Sequence, residues 1–360
     1  MTGEQHMNHS DLPSRRGALM GLSALALLPL ARAQAPAQTG AAERPRPASA
    51  QGGAGAPPRR GNQVPAEVIV DERVESFPLN SPGHSGPPWQ IHLARPRGQA
   101  PEAGCPVLYL LDGNAAFPAA WHALAALRRQ RSELAEALDS LALVGIGYPS
   151  GLRIDTPRRY HDFTPHTAEE YRRARGTDLA TGGREVFLDF VARSLRQAIA
   201  ARLPVDLQRQ SLCGHSLGGL FTMHVLFNRP ELFRNYIAGD PSFWWNGASV
   251  MQEQAAFIAG VRAAGGQLAS PLGLLVEHSG RVREEPAAPA AGDAPERAAA
   301  DPGQRPAAPD PALGQIGHLQ MWHRRLEDAS HGSMLGPLVA DAVLFALGQI
   351  PAHAQMVRLS

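Results

Sequence analysis

The stretch Leu212-Cys213-Gly214-His215-Ser216-Leu217-Gly218-Gly219-Leu220 sets a serine between two glycines, in the order Gly-x-Ser-x-Gly. The run before it, 209–213, reads as a strand, and apolar residues on every turn over 217–227 read as a helix. A serine at so sharp a strand-to-helix turn takes strained backbone angles, and flanking glycines admit neighbouring backbone where a Cβ would clash. The turn lifts the hydroxyl above the sheet edge and aims a helix N-terminus at it. With 36 glycines in 360 residues, the five-residue pattern arises by chance with a probability of roughly one in five. A plain glycine-rich connection is therefore the alternative, and the rest of the chain must decide.

Outward from this turn the chain alternates strand-like and helix-like runs. An edge pair of antiparallel strands is expected at 67–77 and 88–93, and buried strands at 106–111 and 141–146. Helices are expected at 117–131 and 185–203, the second with Val186, Phe187, Phe190, Val191, Leu195 and Ile199 as its apolar stripe. After the serine come a strand at 235–238, a helix at 250–264, strands at 272–276 and 319–326, and a closing helix at 335–347. Alternation of this kind implies an α/β fold: a mostly parallel, doubly wound sheet with helices on both faces. The segment 283–312 is Ala, Pro, Gly, Asp and Arg without an apolar run and reads as a mobile surface insertion.

A nucleophilic serine needs a base, an acid to hold the base, and donors for an oxyanion. Of fourteen histidines, His331 is the candidate base, because it follows the last expected strand and a loop there reaches the same sheet edge as Ser216. His215, next to the serine, is expected to point elsewhere along the turn. The backbone N–H groups of Leu217 and of Asn114, in Leu110-Leu111-Asp112-Gly113-Asn114, are the expected oxyanion donors. The acid is expected after the strand ending near Val276. Glu284, beyond a glycine turn, is the preferred residue, with Glu277 as the alternative and a Ser216–His331 dyad as a third arrangement.

These motifs resemble the putative-esterase family of α/β-hydrolases, which includes siderophore (enterochelin) esterases and is related to the mycolyltransferase antigens. The matching stretches are 109–114, 159–165, 214–221, 240–246 and 331–333, in family order over 64–347. The resemblance implies the α/β-hydrolase fold and a serine esterase working through an acyl-enzyme on a small-molecule ester, with acyl transfer and non-catalytic ligand binding as the alternatives. One departure stands out: relatives carry Ser-Pro-Ser before the paired tryptophans, and here the first position is Asp240. That residue and the open acid assignment are what favour a binder without turnover. One of Trp244 and Trp245 is expected in the core and the other against a pocket. Arg153, Arg158 and Arg159 read either as a site for an anionic substrate or as a solvated loop.

Composition narrows the chemistry further. All 34 basic residues are arginine, so no Schiff-base lysine, phosphate-loop lysine or Ser-Lys dyad operates here. A net charge of +1 makes no case for nucleic acid. No His-Glu-x-x-His or Cys-x-x-Cys spacing argues for a metal, and no cofactor is expected. Cys105 and Cys213 are either a disulfide or two buried thiols. At the N-terminus, Ser14-Arg15-Arg16, an apolar run and Ala31-Arg32-Ala33 read as a twin-arginine-like export signal over 1–33. A disordered linker is expected at 34–63 and one hydrolase domain over 64–360, periplasmic or secreted, without stable membrane insertion after cleavage. The oligomeric state is left open.

Overall fold

The computed structural model describes residues 64–174, 176–281 and 309–357. The export signal, the linker and most of the 283–312 insertion, Glu284 included, lie outside them. Nine strands form one sheet in the order β1-β2-β4-β3-β5-β6-β7-β8-β9. They are β1 (Val74–Leu79), β2 (Trp89–Ala94), β3 (Cys105–Leu111), β4 (Ala142–Gly147), β5 (Val205–His215), β6 (Asn235–Gly239), β7 (Gln267–Ser279), β8 (Gly317–Leu326) and β9 (Gln355–Met356). Every pair from β4 through β8 is parallel, while β1, β2 and β9 add antiparallel edges. With the helices this is the α/β-hydrolase fold. The wholly buried runs of β3 and β4 follow from helices covering both faces.

The helices are α1 (Gly113–Gln130), α2 (Ala135–Ser140), α3 (Thr156–Phe163), α4 (Glu169–Ala174), α5 (Arg184–Asp189), α6 (Arg196–Ala200), α7 (Leu217–Asn228), α8 (Trp245–Ala248), α9 (Val250–Ala263) and α10 (Leu335–Ala346). One face of the sheet packs on α3, α5, α7 and α9, and the other on α1, α2 and α10. Helix α7 is apolar on all sides because it is covered on all sides, with Leu217, Phe221, Met223 and Val225 fully buried. The expected helix over 185–203 is realised as α5 and α6 joined by a π-helical stretch, Phe190–Leu195. Its stripe is corrected at one position: Val186 is exposed, and Leu188 is buried instead.

The order of strand addition reverses around β3: β4 lies on one side of it and β5 on the other, both parallel to it. The loops leaving β3 and β5 therefore part at a topological switch point, the crevice that open α/β sheets use for ligands. Three non-glycine residues with positive φ follow the ends of adjacent strands there, Asp112 (51°) after β3, Ser216 (58°) after β5 and Asp240 (37°) after β6. Strain of this kind persists only where the surroundings hold it, and it clusters at functional sites.

Candidate active site

Ser216 stands between β5 and α7 at φ 58°, ψ −118°. Its N–H donates to Gly239 O (2.9 Å), and its carbonyl accepts from Leu220 N (2.9 Å) and Ser242 N (3.2 Å), so three segments pin the turn. Gly214 is required sterically: a Cβ there would stand 2.3 Å from Gly218 O. The Ser216 hydroxyl is buried and lies 3.4 Å from Ser242 Oγ. The expected elbow thus forms, and its first glycine is the one the packing cannot replace.

His331 arrives from the turn after β8. The turn closes on itself through Ser333 N and Met334 N to Ser330 O, both 3.0 Å, and is anchored by the buried Leu326, Ala329 and Met334. His331 Nδ1 lies 3.1 Å from Asp240 Oδ2. The other oxygen, Asp240 Oδ1, accepts from Ser279 N (2.9 Å) and stands 3.5 Å from His278 Nδ1. Burial by itself raises the Asp240 carboxyl, but hydrogen bonds from His278, His331 and Ser279 outweigh it and hold the group well below the ordinary carboxylate range. Asp240 is thus an ionised carboxylate pinned on one oxygen and aimed at a histidine with the other.

His215 does not point away, as the local spacing suggests. Its ring centroid is 4.6 Å from that of His331. Its Nε2 is shut off from solvent without a hydrogen-bond partner, and burial, with the charges of His331 and Arg159, pushes the ring down to about 3. Ligand atoms of His215, Asp240 and His331 lie within 4.8 Å of one another, the group among the described residues with metal-binding composition. Ser216 and His331 share this edge without a hydrogen bond between them among the described contacts.

The first turn of α1 meets the elbow from the other side. Ala115 N and Ala116 N both donate to Asp112 O, which leaves the Asn114 N–H outside the helix ladder, as first-turn donors are. The N–H of Leu217 opens α7 in the same way. The Asn114 side chain is committed elsewhere, donating to Tyr148 O (3.0 Å) and Leu152 O (2.8 Å) and accepting from Tyr148 N (3.1 Å). Asp112 does more than make a turn: its carboxylate accepts from Arg159 Nε (3.0 Å) and Nη2 (3.2 Å), with both residues buried. That pair binds α3 to the end of β3.

Residues 85–270 match a protein-family description, Esterase, "Putative esterase". The match takes in β3, the elbow and the Asp240 loop. The chain belongs to this esterase family. It is 39% identical over 177 residues to the siderophore triacetylfusarinine C esterase of Aspergillus fumigatus, covering 47% of this chain and 54% of that protein. It is 34% identical over 174 residues to the ferri-bacillibactin esterase BesA of Bacillus subtilis, covering 48% and 59% respectively. The match thus spans little more than half the length of these curated relatives. Among solved structures, the BES protein from Bacillus cereus superposes with a TM-score of 0.61 at 25% identity, covering 79% of this chain and 98% of that one. The siderophore hydrolase EstA from Aspergillus nidulans superposes at 0.59 and 26% identity, covering 77% and 94%.

Within this esterase scaffold the carboxylate that meets His331 lies on the loop after β6. Glu277 is fully buried at the end of β7, beside the Asp341 carboxyl. Burial, then the nearby Asp341 carboxylate, push it well above the ordinary carboxyl range, and no hydrogen bond or ion pair among the described contacts joins it to His331. Glu284 lies outside the described residues. Asp240, met in the sequence only as a departure from the family pattern, is the carboxylate that reaches His331. The signal that finds it is an acidic residue just past the strand after the elbow, on an adjacent strand end. The tryptophans divide as expected on the core side: Trp245 is buried, with Nε1 donating to Thr167 Oγ1 (3.2 Å), and Trp244 is half-buried. The arginines also divide. Arg159 is a buried ion pair, Arg158 stacks 5.0 Å over Tyr148, and Arg153 is exposed.

Proposed function

We propose that this chain is an exported serine esterase that cleaves carboxylic esters through an acyl-enzyme, with siderophore esters as the substrate class. The observation that carries the reading is a strained Ser216 at one sheet edge with a His331–Asp240 pair 3.1 Å apart. The names of the two curated relatives supply the substrate class.

In the first step Ser216 Oγ bonds to the ester carbonyl carbon while His331 Nε2 takes its proton, with Asp240 accepting from Nδ1–H and so fixing that tautomer. The N–H groups of Leu217 and Asn114 donate to the carbonyl oxygen as it becomes an oxyanion. The C–O bond breaks, His331 returns the proton to the departing alcohol, and water repeats the sequence to release the acid. The Ser216 hydroxyl rotates from Ser242 toward His331 in this scheme; catalytic hydrogen bonds commonly tighten only when substrate is bound. The half-buried Trp244 is assigned to the pocket wall. Among the described residues no helix is long and apolar enough to cross a membrane; export rests on the arginine pair and apolar run of 1–33. Residues 64–360 are assigned to one domain.

The test is covalent labelling. A fluorophosphonate probe is expected to label the wild-type chain at Ser216, and Ser216→Ala is expected to lose both the label and the hydrolysis of a generic 4-nitrophenyl ester. Ester hydrolysis at the wild-type rate by Ser216→Ala overturns the proposal.

A further inference from the structure

We propose that His215, Asp240 and His331 form a binding site for a divalent first-row transition ion of the zinc class, whose occupancy and ester hydrolysis exclude each other. The site is separate in kind from the esterase chemistry, since one of its three ligands, His215, has no part in the acyl-enzyme scheme. Its ligand set, two imidazoles and one carboxylate, is one that zinc and its neighbours accept and that magnesium disfavours.

The geometry carries the assignment. The three ligand atoms already lie within 4.8 Å of one another, and around a tetrahedral zinc they stand roughly 3.4 Å apart. The remaining contraction falls on His331, whose side chain is 51% exposed on a surface turn, while Asp240 is held still. Outer contacts of the sort that orient metal ligands are present: Ser279 N and His278 Nδ1 hold Asp240 Oδ1 and leave Oδ2 directed at the cluster. His215 brings a ring nitrogen from a buried side chain to within 4.8 Å of the other two ligand atoms. The exposed side of His331 is the entry path.

Exclusion follows from the two nitrogens of one ring. An ion on His331 Nε2 takes the lone pair that accepts the serine proton. An ion on Nδ1 moves the ring proton to Nε2, where no lone pair remains. Either way the base is lost without any change in fold. This exclusion rests on His331 acting as the base; metal binding itself does not.

The experiment titrates the full chain with Zn²⁺ by calorimetry, with Mg²⁺ as the hard-ion comparison, and then follows ester hydrolysis at each Zn²⁺ concentration. One Zn²⁺ per chain is expected, with Mg²⁺ failing to compete. Ser216→Ala and the surface variant His318→Gln are expected to keep the wild-type affinity. His215→Gln, its fold checked by circular dichroism, is expected to lose at least the roughly tenfold that even an outer-contact change costs. The Zn²⁺ inhibition constant of His215→Gln, taken against that variant's own zinc-free rate, is expected to shift by the same factor. Unchanged affinity in folded His215→Gln, or absence of a wild-type Zn²⁺ isotherm, overturns the site. Zn²⁺ binding with undiminished hydrolysis overturns the exclusion. Binding retained in a chain that the fluorophosphonate probe fails to label leaves the metal site standing and removes the esterase reading.

Discussion

Single residues carry the sharpest consequences. Asp240 holds its carboxylate ionised and 3.1 Å from His331 Nδ1, so Asp240→Asn replaces an acceptor by a group that favours the wrong ring tautomer. Its kcat on a generic ester is expected to fall by about ten-thousandfold, whereas Glu284→Gln is expected to stay near wild type. Equal losses in the two variants would return the acid to the segment after β7. Gly214 gives a structural counterpart. Its missing Cβ would stand 2.3 Å from Gly218 O, against backbone that cannot step aside. Gly214→Ala is expected to destabilise the fold by about 1–3 kcal/mol, as overpacking does, read as a lower urea midpoint. The two residues differ in how far local sequence reveals them. The glycine's role follows from its place in the turn. The aspartate's role depends on a histidine 91 residues away.

At the scale of elements, periodicity located β3, β4, β6, α7, α9 and α10 to within a few residues, because burial on one or both faces writes itself into the chain. Contacts between elements were not written there. The cysteines illustrate this: Cys213 pairs in register with Leu110, five residues along β3 from Cys105, so the two lie about 17 Å apart. That is far beyond disulfide reach, and both are free thiols. A polar staple between α5, α7 and α9 was equally invisible. Buried His224 has Nδ1 2.6 Å from Glu253 Oε2 and Nε2 3.3 Å from Glu185 Oε1, and Arg184 reaches Glu253 at 2.8 Å. Burial lowers His224, but the two carboxylates outweigh it and raise the ring above its ordinary 6.5. Glu185 is held down at about 2, chiefly by His224. The raised histidine contributes stability fully below pH 6.5 and loses it as pH rises through its folded value. The lowered Glu185 contributes above pH 4.5 and loses it as pH falls toward about 2. Wild type is therefore expected to exceed His224→Gln in melting temperature most between pH 4.5 and 6.5, measured by thermal scans across pH. A constant difference from pH 3 to about 9 would refute the staple.

Across the whole molecule, one buried group sets a slope that surface charges do not. Glu277 faces Asp341 and sits in register with Arg324, which is itself ion-paired to Asp341. Its folded carboxyl is raised by burial, so its contribution to stability is complete below its ordinary 4.5 and declines as pH rises above it. Glu277→Gln cannot ionise, and its stability relative to wild type is expected to increase from pH 5 to about 9, followed as the difference in urea midpoints. Parallel curves would show that Glu277 is ionised in the folded chain. The same residue marks the division between chain and fold. The α/β alternation, the strained serine turn and the histidine after the last long strand are legible in the chain alone, since each depends on neighbours within a few positions and on burial that repeats at 2 or 3.6 residues. Which carboxylate meets His331 follows from the folded chain alone. A parallel sheet brings every strand's C-terminal loop to one edge, and proximity there follows strand order rather than sequence distance. Burial raises the Glu277 carboxyl, while a positive φ and the Ser279 N–H turn Asp240 toward His331.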